Sequence, residues 1–330
     1  MKNIAIIGLG GTIAMMKDDT GLARPALDSE KILENSGILI NQRDVTFHPI
    51  NLANVPGVDI SFNLLLELAN KIKELEKHNI DGVVITQGTD TLEETVYFMD
   101  LILDNQIPVV FTGAQRNPSL PSSDSAINLL DSIRVVLDEK AVEYGTLLVF
   151  NSEIHLAKEV IKTHTSRFDT FKSLEFGPVG AVVENIVYWQ RKRLDKKIIY
   201  NIKKPKIGVE IISCGISMKS YLIDLLTEKG VDGIILETMG AGHVPSNIID
   251  SLKKAINNNI LVVATSRCFT GRLFRNTYNF NGSEKTLRDI GVIFSNWLYT
   301  TKARIKLIVL LSSELNHSEI KENFENNFYN

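Results

Sequence analysis

Short apolar runs alternate with segments of helical period along most of this chain. The runs are Ile4 to Ile7, Gly82 to Thr86, Pro108 to Thr112 and Gly145 to Asn151. Between them, Phe62 to Lys77, Leu92 to Leu103 and Ser125 to Asp138 read as amphipathic helices. That alternation predicts βαβ units, right-handed crossovers and a mostly parallel sheet. A charged stretch, Gln190-Arg-Lys-Arg-Leu-Asp-Lys-Lys197 through Lys203-Lys-Pro-Lys206, then interrupts the pattern and reads as a linker over 191–206. A solvated lysine run does not by itself make a functional patch. The pattern restarts with strands at Ile207 to Ser213, Gly233 to Leu236 and Ile260 to Ala264, and helices at Met218 to Lys229 and Ser246 to Asn257. The expected fold class is α/β, in two α/β domains: a larger N-terminal catalytic domain, 1–190, with a mostly parallel sheet, and a smaller C-terminal α/β domain, 207–330. The Asn-rich tail, Glu322 to Asn330, stands outside the pattern.

Length agrees with two domains, since 330 residues exceed the size at which one core keeps growing. The 36 basic and 39 acidic residues are interspersed and give a formal charge of -3, so neither nucleic acid nor a membrane surface is favoured as a partner. A small-molecule ligand is expected instead. The first apolar run stops at Gly8, too short for a signal segment, and no run approaches a membrane span, so the cytoplasm is the expected compartment. Cys214 and Cys268 lie in or beside apolar segments and are expected to be buried free thiols; no Cys/His metal spacing is present.

Two predicted strands run into hydroxyl-rich turns. Gly8-Leu-Gly-Gly-Thr12-Ile-Ala14 follows the first, and Thr86-Gln-Gly-Thr-Asp-Thr-Leu-Glu-Glu-Thr95 follows the second. Ligands of open α/β sheets bind at the carboxyl ends of strands, so a catalytic site is the leading reading of these turns. The first lacks the last glycine of a dinucleotide fingerprint, having Ile13 there. A threonine in a glycine-rich turn suits a nucleophile, because glycines let N–H groups approach a developing oxyanion. From local sequence alone, a helix N-cap is the simpler role for Thr12. In the second turn, Thr91-Leu-Glu-Glu94 reads as a capping box, which leaves Thr89 and Asp90 unexplained. A hydroxyl beside a carboxylate suits holding an ammonium group while orienting water or an attacking oxygen. A nucleophilic threonine also needs a base, and a lysine of depressed pKa is one solution. Lys162, in Glu159-Val-Ile-Lys-Thr-His-Thr165, is the candidate, with a solvated surface lysine as the plainer alternative.

Gly10-Gly-Thr-Ile-Ala14, Ile85-Thr-Gln-Gly-Thr-Asp-Thr-Leu-Glu-Glu94, Thr112-Gly-Ala-Gln-Arg116, Lys162-Thr and Lys302-Ala-Arg304 together resemble the bacterial-type L-asparaginase and glutaminase-asparaginase family. They do so in order and at matching spacing, over essentially the whole chain. The resemblance implies hydrolysis of the side-chain amide of L-asparagine to L-aspartate and ammonia through a threonine acyl-enzyme, with no cofactor and no metal. It implies Thr12 as first nucleophile and a polar triad of Thr89, Asp90 and Lys162, in which Lys162 raises the basicity of the Thr89 oxygen. Asp90 would also bind the substrate ammonium, Ala114 would offer its carbonyl to the substrate amide, and Gly57, Val58 and Gly88 fall at substrate-binding positions. A homotetramer of intimate dimers is implied, with each site near the N-terminal domain of one subunit and the C-terminal domain of its partner. Gly240-Ala-Gly-His243 stands in place of the family's Gly-x-Gly-Asn turn, making His243 a candidate to reach a neighbour's site or a loop residue without catalytic duty. Glu284 falls near the expected position of a partner-subunit acid.

Three departures from the family pattern stand out. No tyrosine occurs before Tyr97, so the loop from Met15 to Asp28 lacks the family's activating tyrosine and offers Lys17, Asp18, Asp19 and Arg24. The substrate-carboxylate contacts map to Pro56-Gly-Val-Asp59, where Val58 has no hydrogen-bonding side chain. Losing a polar contact of that kind alters substrate discrimination by orders of magnitude. Finally, Ser122-Ser-Asp-Ser125 replaces an Ala-Asp-Gly turn; Asp124 is retained, as a support for the site or as a helix cap. Glutamine or D-asparagine as substrate, and an amino-acid binder without turnover, remain alternatives.

Overall fold

The computed structural model describes residues 1–18, 20–38 and 44–325. Asp19 of the expected loop and the last five residues of the Asn-rich tail lie outside the described residues. The chain divides into two compact units, Met1–Ile199 and Tyr200–Asn330.

The first unit contains β1 (Lys2–Gly10), β2 (Met15–Lys17), β3 (Ala23–Pro25), α1 (Ser29–Asn35), β4 (Val45–Val55), α2 (Phe62–Lys77), β5 (Gly82–Thr86) and α3 (Leu92–Ile102). It continues with β6 (Val109–Thr112), α4 (Ser125–Leu137), β7 (Thr146–Phe150), β8 (Glu153–Leu156), β9 (Ile161–Lys162), β10 (Phe171–Lys172), β11 (Gly180–Val183) and β12 (Ile186–Trp189). Eight strands form one sheet in the order β12-β11-β8-β7-β6-β5-β1-β4. From β4 to β7 neighbouring strands are parallel, and β8, β11 and β12 extend the sheet antiparallel. β5, β6 and β7 are buried at every residue, as parallel strands covered on both faces must be. α2 buries Leu65, Leu68, Ala69, Ile72 and Leu75, a stripe at helical spacing. Burying a leucine or isoleucine of that stripe is worth about 1.5–3 kcal/mol.

The basic stretch after β12 is only partly solvated: Lys192, Lys196, Lys203, Lys204 and Lys206 are exposed, while its arginines are paired. Arg193 bonds both oxygens of buried Asp100 at 3.0 and 3.1 Å, Lys158 reaches Asp195 at 3.2 Å, and Arg191 pairs with buried Glu159. Buried carboxylates keep their charge only when paired, and these arginines supply the pairing. Residues 191–199 of the segment anticipated as a linker accordingly belong to the first unit.

The second unit has β13 (Val209–Ser213), α5 (Tyr221–Lys229), β14 (Gly233–Thr238), α6 (Ile249–Asn257), β15 (Leu261–Ser266), α7 (Glu284–Asp289), β16 (Ile293–Phe294), α8 (Thr300–Ser312) and α9 (His317–Glu325). Its four strands are parallel and ordered β13-β14-β15-β16. One apolar cluster, which includes Ile234, Leu236 and Val262 of the strands, packs Ile223 of α5, Leu252 of α6 and Leu287 of α7 with this sheet. Cys214 is buried here, whereas Cys268 is exposed, contrary to expectation. Cys268 lies two residues past the end of β15, where the strand has already reached the surface. Among the described residues, no helix is long and apolar enough to cross a membrane.

Candidate functional site

The order β4-β1-β5-β6 places a switch point between β1 and β5: the chain leaves β1 toward β4 on one side and leaves β5 toward β6 on the other. Such a reversal opens a crevice at the carboxyl ends of the two strands. Thr12 follows β1 and Thr89 follows β5, so both candidate threonines stand at that crevice.

Three glycines bring the turns together. A methyl group on Gly11, whose φ is +82°, would lie 2.1 Å from the Gly88 nitrogen. One on Gly88 would lie 2.8 Å from the Gly57 Cα. The turns after β1, β4 and β5 thus touch backbone to backbone, an approach closed to any residue with a Cβ. Thr12 opens a single 3₁₀ turn, Thr12–Ala14, with Gly11 rather than Thr12 at the N-cap. Thr12 is half-buried above buried Ile13 and Ala14, and among the described residues its hydroxyl has no hydrogen-bond partner.

The second turn carries the polar cluster. Lys162 Nζ donates to Thr89 Oγ1 at 2.9 Å and to Asp90 Oδ1 at 2.8 Å. Thr89 is buried, Lys162 is 17% exposed in its side chain and Asp90 is 60% exposed, so the trio runs from the interior to the crevice surface. The solvated reading of Lys162 does not hold. Thr91 does not form the expected capping box, because α3 has no side-chain bond at its N-cap. Its hydroxyl instead donates to the Gly57 carbonyl at 2.6 Å and accepts from Gln87 Nε2 at 3.2 Å, so it fixes the neighbouring turn.

Ala114 is fully buried in the turn after β6. Asp124 does not cap α4; its carboxylate accepts the N–H groups of Gln115 at 2.9 Å and Arg116 at 2.9 Å, and Asn128 Nδ2 at 3.0 Å. Asn128 also donates to the Gly113 carbonyl at 3.0 Å. The residues on both sides of Ala114 are therefore held, which aims its own carbonyl. Gly57 is buried, while Val58 is 66% exposed.

In the loop beyond Thr12, β2 and β3 form a small antiparallel hairpin. Asp18 closes its turn, accepting the Thr20 hydroxyl at 2.5 Å and the Thr20 N–H at 2.9 Å, and these bonds hold its carboxyl below the usual range. Asp18 is thus occupied locally.

His243 belongs to the second unit, where its Nε2 lies 3.2 Å from Glu284 Oε2 and its ring packs edge-on to Tyr278 and Phe280. Burial alone would raise the Glu284 carboxyl, yet N–H donation from Tyr278 and Thr277, with His243, holds it below its ordinary value. Sequence reasoning missed four features of the first unit: the roles of Gln87, Glu93 and Asn128, and the Thr91 bond to Gly57. Gln87, just past the end of β5, and Asn128, inside α4, carried the signal of a polar residue beside apolar ones; Thr91 and Glu93, at the start of α3, gave only a helix-end signal. Among the described residues, no three His, Cys, Asp or Glu side chains converge as a metal site.

The asparaginase N-terminal family model matches residues 3–195, and the glutaminase/asparaginase C-terminal domain model matches residues 208–324. An L-asparaginase of Bacillus licheniformis is 34% identical over 94% of this chain and 96% of its own. A glutamyl-tRNA(Gln) amidotransferase chain of Pyrococcus abyssi is 31% identical, over 99% of this chain and 76% of its own. Among solved structures, a probable cytoplasmic L-asparaginase from Campylobacter jejuni superposes with a TM-score of 0.87 at 29% identity, covering 98% of this chain and 99% of its own.

Proposed function

The chain belongs to the asparaginase family of amidohydrolases, and we propose that it hydrolyses the side-chain amide of L-asparagine to L-aspartate and ammonia through a threonine acyl-enzyme. The observation that carries this reading is Lys162 Nζ, held 2.9 Å from Thr89 Oγ1 and 2.8 Å from Asp90 Oδ1 at the switch point of the sheet.

The substrate's α-ammonium docks on the exposed side of Asp90, and its α-carboxylate takes main-chain N–H donation at Gly57 and Gly88. The Ala114 carbonyl accepts a hydrogen from the side-chain amide. Thr12 Oγ, which has no hydrogen-bond partner among the described residues, attacks the amide carbon. Its proton passes through Thr89 to Lys162, which takes it as the neutral amine and hands it to the departing nitrogen; the C–N bond breaks, and ammonia leaves. Water, losing a proton to the same pair, then attacks the ester; the C–O bond to Thr12 breaks, and the threonine regains its proton. No cofactor takes part. With no loop tyrosine and Asp18 tied into its hairpin, Thr89 and Lys162 carry the proton traffic that the loop would share.

The assembly we read from the resemblance is a homotetramer in which His243 reaches a neighbouring subunit's site; light scattering tests it, and a monomer contradicts it. The cytoplasm is the proposed compartment, as in the name of the solved Campylobacter relative, and cell fractionation tests that. Exposed Val58 and the missing tyrosine favour one second reading, an amino-acid binder without turnover. The deciding experiment is ammonia release from L-asparagine, D-asparagine and L-glutamine by wild type and by Thr89→Val. Turnover of L-asparagine that Thr89→Val abolishes supports the proposal. Preference for another amide reassigns the substrate, and thermal stabilisation by a ligand without turnover supports the binder.

A further inference from the structure

We propose that Glu93 is a positioning residue of this site: its carboxylate sets the strand that carries Lys162, and so sets Lys162 Nζ between Thr89 and Asp90. The inference rests on the reading of Lys162 as the proton-handling group.

β9 is two residues long and lies outside the eight-stranded sheet, paired with β10 through Lys162↔Phe171 and Ile161↔Lys172. A ladder this short fixes position poorly by itself. Successive N–H groups along a strand point to opposite sides. The Thr163 N–H turns toward β10 and binds the Thr170 carbonyl at 2.7 Å, so the Lys162 N–H turns away from it. There it meets Glu93 Oε2 at 2.5 Å, across 69 residues of sequence.

Glu93 is 9% exposed and lies in the first turn of α3, three residues after Asp90. The same short segment therefore holds the two groups that Lys162 Nζ must reach and the carboxylate that fixes the Lys162 backbone. Thr91, between them, ties the segment to Gly57 at 2.6 Å. A carboxylate is a stronger acceptor for a main-chain N–H than a neutral oxygen, which suits so short a strand. A helix-capping role does not explain a bond made to a strand 69 residues away.

The test uses Glu93→Leu and Glu93→Gln, each alone and combined with Lys162→Met. Displacing a reacting group by about 1 Å costs roughly 10²-fold. The expected result for Glu93→Leu is a fall of about that size in kcat on L-asparagine, with KM changed far less. Glu93→Gln keeps an acceptor oxygen and recovers most of the rate. In the Lys162→Met background, Glu93→Leu adds no further loss, since both act through one group. A second reading is independent of turnover: competitive acetylation by acetic anhydride, with Lys162 compared to exposed Lys140 by mass spectrometry. Lys162 labelling rises several-fold in Glu93→Leu and stays at the wild-type level in Glu93→Gln. Should Glu93→Leu not fold, Glu93→Asp withdraws the carboxylate by one methylene and gives the same readings. Unchanged Lys162 labelling, or a loss that multiplies with that of Lys162→Met, overturns the proposal. Absence of turnover in wild type with the labelling shift intact overturns the amidase reading and leaves the positioning role standing.

Discussion

Both units end their parallel strands in glycine-containing turns, yet the two ends are built differently. In the first unit, Gly11, Gly57 and Gly88 touch through backbone atoms, and the polar trio behind them is fixed by direct bonds. In the second unit, Gly240 has nothing within 4 Å of the place a methyl group would occupy, and the polar pair His243–Glu284 stands among half-exposed aromatic rings, Phe274, Tyr278 and Phe280. Close backbone packing gives the precision that proton transfer and nucleophilic attack require. An open turn with aromatic walls suits contact and recognition. Under the proposed mechanism, the difference accords with chemistry in the first unit and a supporting role for the second.

The largest expected effect breaks that assignment if it fails. Lys162→Met should lower kcat by roughly 10²–10⁴, the range for loss of a general acid–base group, while His243→Ala should chiefly raise KM. Steady-state kinetics on both variants checks this, and equal losses of kcat would erase the contrast. Next comes packing. Gly11→Ala places a methyl group 2.1 Å from a backbone nitrogen at a φ of +82°. Overpacking of that kind costs about 1–3 kcal/mol, before any backbone strain. Gly240→Ala, at φ +54° and in open space, should cost only about 1 kcal/mol, the left-handed penalty alone. Thermal melts of the two variants rank them, and a lower melting temperature for Gly240→Ala would contradict the packing argument. The smallest effect lies within the second unit. Burial pushes the Cys214 thiol up to about 12, so its thiolate is scarce at pH 8 and forms only as pH approaches that value. Exposed Cys268 should take up iodoacetamide at pH 8 while Cys214 does not. One alkylated cysteine per chain by mass spectrometry is the expected outcome, and modification of Cys214 would contradict its burial.

Much of the first unit was legible because its inner strands are uninterrupted apolar runs; β5 and α2 match their predicted spans residue for residue. Edge elements were not. β4 stands at the end of the sheet order and mixes Thr46, His48, Asn51 and Asn54 with its apolar residues, so it lacks an apolar run. The β11–β12 hairpin turns on Glu184 and Asn185, both with positive φ, and its exposed Val183, Ile186 and Tyr188 give no core signature. The strand expected to end at Asn151 ends at Phe150, since Asn151 and Ser152 adopt left-handed conformations to make the β7–β8 turn. Within the site, Thr12, Thr89, Asp90 and Lys162 were named from motif chemistry. Glu93 and Thr91 were hidden, because their roles depend on Lys162 and Gly57, each more than thirty residues away in sequence. Helix-end rules, which look only a few residues ahead, assign such residues to caps.

The central claim is that amide hydrolysis proceeds through an acyl-enzyme on Thr12, served by Thr89 and Lys162. Acid quenching of the protein during turnover of L-asparagine, followed by digestion and mass spectrometry, tests it most directly. An aspartyl ester on the peptide containing Thr12, accumulating in the first turnover and lost in Thr12→Val, is the predicted result. Turnover with no acylated peptide, or with the ester on Thr89, would contradict it.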